Sequence, residues 1–266
     1  MTASNGSDSY VICATPRSGS TLLCGLLSST GLAGRPESYF RVPDEQSWAD
    51  RWQIPRDANG RFDYRDYARA AVAAGSTANG LFAARVMWGT LGEMIAKLAA
   101  SDMCRSDLEI LTEAFGRMRF VHLWRDNTLA QAVSWLRAEQ TNSWQHGDAP
   151  TGHEPRFDAA AISSIVRTIS EHNAAWRTWF SSVGVQPYDV TYEELVADMS
   201  GVTRAILEHL GYSAATVEIS RRHERLGDDI NLDWISRYRA LAESAENSLK
   251  DPVVADGGCN DDRARI

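Results

Sequence analysis

Short apolar runs alternate with amphipathic segments along most of this chain. Four runs have the length and composition of buried strands: Tyr10–Ala14, Leu81–Met87, Phe120–Trp124 and Tyr188–Val190. Apolar residues three and four positions apart predict helices over Ser20–Ser29, Tyr64–Ala74, Leu91–Ala100, Leu108–Phe115, Thr128–Glu139, Ala159–Phe180, Tyr192–Asp198, Thr203–Leu210 and Leu232–Ser244. This order predicts an α/β fold of three layers, in which helices flank a central, mostly parallel sheet.

Two long stretches interrupt this pattern. Residues 37–61 are rich in Pro, Asp, Arg and Trp, and residues 140–156 are polar with aromatic and histidine insertions. Loops of this length inside a compact domain are usually functional or disordered. The tail from about residue 250 is expected to be poorly ordered or to pack at a subunit contact.

The composition limits the classes of ligand that this chain can bind. With 266 residues, 44% of them hydrophobic, we expect one domain over residues 1–266. The net charge of −8 argues against general affinity for nucleic acid or an anionic membrane, since both need a basic face. An anionic ligand must therefore be bound by a local group of donors.

The cysteines and the N-terminal segment favour a cytoplasmic location. The four cysteines, Cys13, Cys24, Cys104 and Cys259, lack the paired spacing of zinc or redox sites, which is typical of a reducing compartment. The N-terminal segment lacks the basic region of a signal peptide. No apolar stretch is long enough to predict a membrane span.

The stretch "ATPRSGST", residues 14–21, joins the first predicted strand to the first predicted helix. A tight turn of small residues at a helix start directs backbone N–H groups and the positive end of the helix dipole toward one point, which favours an anion. Ser20 and Thr21 add hydroxyl donors, and Arg17 can form two hydrogen bonds to one phosphate or sulfate. The alternative is a turn whose Ser and Gly serve only capping and backbone freedom.

A second strand end carries similar residues. In "FVHLWRDNTLAQAVSW", Arg125 follows a predicted strand and Ser134 lies in the next helix. The carboxyl ends of parallel strands form the edge of a sheet at which ligands bind. Taken singly, Arg125 could pair with Asp126, and Ser134 could face solvent. Together with the first loop, they favour a ligand with two separated anionic groups.

These segments resemble those of sulfotransferases that use 3′-phosphoadenosine 5′-phosphosulfate (PAPS). "ATPRSGSTLL" is similar to their 5′-phosphosulfate loop, and "WRDNTLAQAVSW" to their 3′-phosphate segment. With "PESYF", "ARVMW", "VTYEEL" and "NLDWISRYR", most of the chain resembles the Stf0 family. Arg125 and Ser134 are nine residues apart, one more than in the wider superfamily, so an extra residue is expected at the helix start.

The resemblance implies a P-loop-like fold and a reaction. The sulfuryl group of PAPS would pass to a carbohydrate hydroxyl, with the 2-hydroxyl of trehalose as the expected acceptor, as a first step toward a sulfated glycolipid. No metal would be required. The resemblance also implies a set of donor-binding residues, of which Arg17 would be catalytic as well: Arg17, Ser18, Gly19, Ser20, Thr21, Arg125 and Ser134.

Glu37, in "GRPESYF", is the candidate base for the acceptor hydroxyl. It follows the first predicted helix, which can return the chain to the carboxyl edge of the sheet, and the resemblance implies a catalytic Glu here. The alternative is an exposed carboxylate paired with Arg35 or Arg41. His146 and His153 are the next candidates for the base.

An uncharged sugar needs aromatic faces and polar side chains, and both long stretches, 37–61 and 140–156, offer them, so we expect them to be loops on the acceptor side of the site. The substrate contacts that we expect, beside Glu37, come from Trp52, Gln53, Gln145 and His146. Trp48, Arg56 and Trp144 belong to the same pool. The aromatic stretches and the tail also favour a homodimer.

Two other functions stay open from the residues alone. A P-loop kinase would carry a lysine in the loop and an acidic strand end for Mg²⁺, which weakens that alternative. A non-catalytic module would bind the nucleotide without transferring a group. Arg221, Arg222 and Arg225 either close over a nucleotide or form a solvated helix face.

Overall fold

The computed structural model describes residues 8–99, 105–144, 154–214, 217–220 and 229–250. All the predicted strands and helices are present, although several helices begin earlier or end later than predicted. The elements are β1 (Ser9–Ala14), α1 (Ser20–Ser29), α2 (Val42–Arg51), α3 (Tyr64–Gly75), β2 (Phe82–Met87), α4 (Trp88–Ala99), α5 (Asp107–Phe115), β3 (Met118–Trp124), α6 (Thr128–Thr141), α7 (Ala159–Ser182), β4 (Tyr188–Thr191), α8 (Tyr192–Ala197), α9 (Met199–His209) and α10 (Asp229–Lys250).

The described strands form one sheet in the order β2-β1-β3-β4, and every neighbouring pair is parallel. In this register Ala14, the last residue of β1, lies beside Met87 of β2 and Leu123 of β3. The strands therefore end along one edge, as the alternation of strands and helices predicts.

Apolar side chains cover both faces of the sheet. Val11 and Cys13 face a core built with α2 to α5 and α7, whereas Tyr10 and Ile12 face a core built with α1, α8 and α9. This alternation follows from the two-residue period of a strand that is buried on both sides. The predicted three-layer α/β fold is confirmed.

Residues 37–61 do not form one long loop, and that expectation is wrong. The helix α2 begins with a proline in its first turn, followed by Asp44 and Glu45. Proline and acidic residues are loop signals, but they are also typical of a helix start, where no N–H is needed and the dipole favours negative charge. Buried Glu45 accepts a hydrogen bond from Tyr64 at 2.9 Å and pairs with Lys97 at 2.7 Å, so distant residues stabilise this helix.

The second stretch begins later than predicted, because α6 continues to Thr141 and ends with Asn142 in a left-handed conformation (φ 53°). Two hydrogen bonds join the ends of the stretch: Gln140 Nε2 donates to the carbonyl of Arg156 at 3.0 Å, and the N–H of Arg156 donates to Gln140 Oε1 at 2.7 Å. Several predicted features lie outside the described residues: Gln145, His146, His153, Arg221, Arg222, Arg225 and the tail after residue 250.

The described residues form two compact units, one within residues 8–220 and the other within residues 229–250. The second unit is the helix α10, whose side chains Leu232 and Leu241 are exposed. A single domain over residues 1–266 stays a prediction. Of the helices that the structure describes, none has the length and apolar character needed to cross a membrane.

Candidate active site

The turn Thr15–Gly19 connects β1 directly to α1 and leaves the start of this helix open. Gly19 is the N-cap residue, with a left-handed φ of 92°. Among the described residues no side chain caps α1, and its first turn contains no acidic residue. Since the first N–H groups of a helix have no acceptor within the helix, they and the helix dipole favour an anion here.

Ser18 adds a hydroxyl to this turn. Its side chain is fully buried, and its Oγ has no hydrogen-bond partner among the described residues. A buried polar group without a partner costs about 1–3 kcal/mol, which a bound oxyanion would remove. The residues present therefore fit the phosphosulfate end of a nucleotide donor.

Gly19 is required for two reasons. A side chain at φ 92° would be strained, and a Cβ at this position would lie 2.4 Å from the ring of Tyr192. Tyr192 is the first residue of α8, which follows β4. The start of α8 therefore packs against the turn Thr15–Gly19, called the first turn from here on.

Arg17 has a left-handed backbone (φ 63°), which costs an L-residue other than glycine about 1–2 kcal/mol. Its Nε donates to Ser134 Oγ on α6 at 3.0 Å, and its NH1 donates to the carbonyl of Trp144. The structure thus joins two residues that the sequence assigned to opposite ends of the ligand. The contact with Trp144 also brings the residue before Gln145 and His146 to the first turn.

Gln131 is a contact of the first turn that the sequence does not reveal. The side chain lies on α6, is fully buried, and donates to Thr15 Oγ1 at 2.8 Å and to the carbonyl of Pro16 at 2.7 Å. Its only signal in the sequence is a polar residue within an apolar helix face. Through Gln131, α6 holds the turn that precedes α1.

Arg85 is the second residue that the sequence analysis did not identify. This half-buried side chain lies near the end of β2, and its NH1 donates to Thr21 Oγ1 at 2.8 Å and to Ser20 Oγ at 3.5 Å. Its Nε donates to Ser38 Oγ at 2.9 Å. A positive charge in the otherwise apolar strand "FAARVM" is the signal that could have pointed to it. Arg85 is therefore the cation that donates to the hydroxyls of the first two residues of α1. Arg17 donates instead to Ser134 on α6.

Glu37 is exposed, but its backbone is fixed to β2. Its carbonyl accepts the N–H of Arg85 at 2.9 Å, and Glu37 forms an isolated bridge with Ala84. Burial raises the pKa of the Cys24 thiol on α1 to about 12, while the Arg85 guanidinium lowers it and the Glu37 carboxylate raises it. Both charges therefore act on the first turns of α1.

The alternative role of Glu37, a surface ion pair, is not found among the described residues. Arg41 pairs with Asp44 at 2.9 Å, and Arg35 donates to the carbonyl of Ser76 at 3.3 Å. Glu37 is exposed, so an acceptor could reach its carboxylate.

Arg125 lies at the end of β3, and its side chain is mostly buried, with 15% of its surface exposed. The guanidinium lies 4.6 Å from the centre of the Tyr192 ring, and Nε is 3.9 Å from Glu193 Oε1. Asp126, the pairing partner that the sequence offered, instead accepts from Trp124 Nε1 at 3.1 Å.

The predicted sugar contacts on the first stretch take different positions. Trp52 is half-buried in an aromatic cluster, with its ring 5.2 Å from those of Trp48 and Tyr67. Gln53 is exposed and left-handed (φ 54°). Their contact with a sugar stays a prediction, as do those of Gln145 and His146.

No group of three or more His, Cys, Asp or Glu side chains that could hold a metal ion occurs in the described part of the chain. Whether the reaction needs a metal is therefore a matter for experiment, and the expectation that it does not stays a prediction.

Comparison with known proteins identifies the family. A family model described as Stf0 sulphotransferase matches residues 9–241. The chain is 29% identical over 258 residues to the trehalose 2-sulfotransferase of Mycobacterium tuberculosis (strain ATCC 35801 / TMC 107 / Erdman), which covers 88% of this chain and 95% of that protein. It is also 29% identical over 260 residues to the trehalose 2-sulfotransferase of Mycolicibacterium smegmatis, with the same coverage.

Among solved structures, the chain is similar to a sulfotransferase from Alicyclobacillus acidocaldarius. The TM-score is 0.48 with 15% identity, over 90% of this chain and 94% of that one, a likeness too distant to bear on function. The family model, in contrast, spans nearly the whole of the described chain, and this protein belongs to the Stf0 sulphotransferase family.

Proposed function

We propose that this sulfotransferase moves the sulfuryl group of PAPS to the 2-hydroxyl of trehalose. The activity named for the two mycobacterial relatives supports the acceptor. The open start of α1 carries the proposal: no described side chain caps it, the buried Ser18 hydroxyl in the preceding turn has no partner among the described residues, and Arg85 donates to the Thr21 hydroxyl in its first turn.

The donor would be bound by residues from both strand ends. Its 5′ end would meet the turn and the first residues of α1, together with Arg85, which binds their hydroxyls. Its 3′-phosphate would meet Arg125, just before α6, and Ser134 within that helix. The structure adds Arg85 to the donor-binding residues that the sequence predicts. The predicted residues are Arg17, Ser18, Gly19, Ser20, Thr21, Arg125 and Ser134.

The donor supplies the activated sulfuryl group, and the chain supplies a base and positive charge. Glu37 would take the proton of the acceptor hydroxyl as the acceptor oxygen forms its bond to sulfur. The bond from sulfur to the 5′-phosphate oxygen breaks, so negative charge grows on that oxygen. The N–H groups of α1 and the guanidinium of Arg85 would stabilise this charge.

The two alternatives are less well supported. In a P-loop kinase a lysine follows the last glycine of the loop, whereas Gly19 is followed by Ser20 here. The cation beside the turn comes instead from β2. Membership of a sulfotransferase family favours group transfer over a module that only binds nucleotide.

The direct test is to incubate the purified protein with PAPS carrying radiolabelled sulfur and a panel of disaccharides. We expect a labelled monosulfated product from trehalose, with sulfate on the 2-position by mass spectrometry and NMR. 2,2′-Dideoxytrehalose is the matched control and should give no product. A product from another sugar would correct the acceptor, and no product from any sugar would contradict the transferase.

We propose further that the protein acts in the cytoplasm as a metal-independent homodimer. Sedimentation velocity tests the dimer, and transfer assays with and without EDTA test the metal. Loss of activity in EDTA that Mg²⁺ restores would contradict the metal-independent reaction and favour the kinase-like alternative.

Alanine variants of Trp52, Gln53, Gln145 and His146 would test the proposed sugar contacts through the KM for trehalose.

A further inference from the structure

A carboxylate lies on the start of α6. Glu193, the second residue of α8, accepts the N–H of Asp126 at 3.0 Å and the N–H of Asn127 at 3.3 Å. Its Oε1 is also 3.9 Å from Nε of Arg125. One side chain from another strand-to-helix connection therefore lies against three consecutive residues at the end of β3.

The backbone under this carboxylate forms a tight turn. Asn127 has φ −78° and ψ 75°, and the N–H of Thr128 donates to the carbonyl of Asp126 at 2.8 Å. These values describe an inverse γ-turn. The turn lies between β3 and α6, where the sequence predicts an extra residue, and Glu193 accepts its first two N–H groups.

Capping of α6 does not account for Glu193. The side chain of Asn127 already accepts the N–H of Ala130 at 3.0 Å, which is the ordinary N-cap arrangement. A carboxylate beside a phosphate site also repels the ligand, so its presence there needs a compensating role.

The residue before Glu193 connects the same segment to the donor site. Tyr192 lies under the guanidinium of Arg125, at 4.6 Å, and packs against Gly19 of the first turn. Arg125 is therefore held between a ring and a carboxylate that are adjacent in the chain. The start of α8 contacts both predicted anion-binding turns.

We propose that Glu193 is a positioning residue for recognition of the 3′-phosphate. It fixes the γ-turn after β3 and thereby sets Arg125 at the height and angle that the 3′-phosphate requires, without touching the donor. The inference rests on the proposed function, because it assumes that Arg125 meets the 3′-phosphate of PAPS.

The test compares two nucleotides that differ only in the 3′-phosphate. Calorimetry would measure the Kd of 3′-phosphoadenosine 5′-phosphate (PAP) and of adenosine 5′-phosphate (AMP) for the full chain and its variants. The wild-type protein should prefer PAP. Glu193→Ala should raise the Kd of PAP about tenfold or more, the scale of one charge-assisted hydrogen bond, and leave the Kd of AMP unchanged. The ratio of the AMP Kd to the PAP Kd should fall by the same factor.

Two further variants separate positioning from general stability. Glu193→Gln keeps one acceptor oxygen for the turn and should give an intermediate ratio. Glu194→Ala is the matched control, because Glu194 completes the capping box of α8 with Thr191, at 2.8 Å and 2.9 Å, and does not contact the γ-turn. It should lower the melting temperature without changing the preference for PAP.

The double variant Arg125→Ala/Glu193→Ala should lose no more preference for PAP than Arg125→Ala alone, since Glu193 acts through Arg125. An unchanged PAP to AMP ratio in folded Glu193→Ala or Glu193→Gln would overturn the inference and leave the proposed function intact. Tighter PAP binding by either variant would overturn it as well, because the carboxylate would then only repel the phosphate. A wild-type protein that does not prefer PAP would instead contradict the proposed function.

Discussion

The two strand-to-helix turns of the site look alike in sequence and differ in charge and capping. The turn between β1 and α1 has glycine as the N-cap and no acidic residue in the first helical turn. The turn between β3 and α6 is capped by Asn127 and has Glu193 on two of its N–H groups. The first turn therefore leaves backbone N–H groups without a capping side chain, while at the second the mostly buried Arg125 lies beside N–H groups that already have acceptors.

From this difference we expect the two turns to bind different parts of the donor. Backbone N–H groups and a helix dipole cannot move away from a charge that grows during a reaction, so they suit the reacting end of the donor. A guanidinium held by Tyr192 and Glu193 suits an anchor whose charge stays constant. The predictions below test whether the first turn governs the chemistry and the second governs donor affinity.

The largest expected effect concerns Glu37, whose backbone is fixed to β2 next to Arg85. Glu37→Gln should lower kcat by about 10²–10⁴, since it removes a general base, and should change the Kd of PAP less than twofold. Rapid-quench measurement of a single turnover checks the chemical step. Asp44→Asn, an exposed carboxylate on α2, is the control. Normal turnover by Glu37→Gln would move the base to the second stretch, where His146 and His153 are the candidates.

A glycine substitution tests how closely the first turn is packed. Gly19→Ala adds a Cβ 2.4 Å from the Tyr192 ring at φ 92°, so we expect about 3 kcal/mol or more of lost stability and greatly weakened PAP binding. Gly31→Ala is the matched control, because φ is 68° and no atom lies within 4 Å of the added Cβ. It should cost only about 1 kcal/mol of left-handed strain.

Urea unfolding and PAP titration distinguish the two glycine variants. If both lose the same stability and bind PAP equally, the close approach of α8 to the first turn does not matter for the site.

Two arginines should affect different kinetic constants. Arg85→Ala removes the cation at the start of α1 and should lower kcat about 10²-fold, the scale of one lost oxyanion donor. Arg125→Ala should raise the KM for PAPS and leave kcat for bound donor nearly unchanged. Arg69→Ala, an exposed arginine paired with Asp66 on α3, is the control. A loss of kcat in Arg125→Ala alone would reverse the assignment of the two turns.

The smallest effect concerns the connection between the turns. Gln131→Leu removes two hydrogen bonds to Thr15 and Pro16 and should cost about 1–3 kcal/mol, with donor affinity lowered several-fold. Gln140→Leu is the control. Gln140 lies on the same helix and also makes two hydrogen bonds, but these are at the surface and join it to Arg156 rather than to the first turn. Its stability loss should be smaller and its PAP affinity unchanged, as urea unfolding and calorimetry would show.

Prediction from the sequence was best where the signal lies among neighbours in the chain. The apolar runs and the helical periods identified the strands and helices, and the small residues before Ser20 identified the first turn. The sequence does not reveal α2, because Pro, Asp and Glu signal both a loop and a helix start, and the ion pair of buried Glu45 with Lys97 that stabilises it spans 52 residues.

The contacts at the site required the tertiary structure. Arg85 meets Thr21 across 64 residues because β2 lies beside β1, and Arg17 meets Ser134 across 117 residues because β3 lies on the other side. Glu193 meets Asp126 across 67 residues because β4 follows β3 in the sheet.

The sequence by itself determined the layers of the fold, the anion-binding turn and the resemblance to a sulfotransferase family, since periodicity and turn chemistry are local properties of the chain. Only the tertiary structure decided which charges face each turn, because strand order and register, to which every residue of the chain contributes, set those pairs.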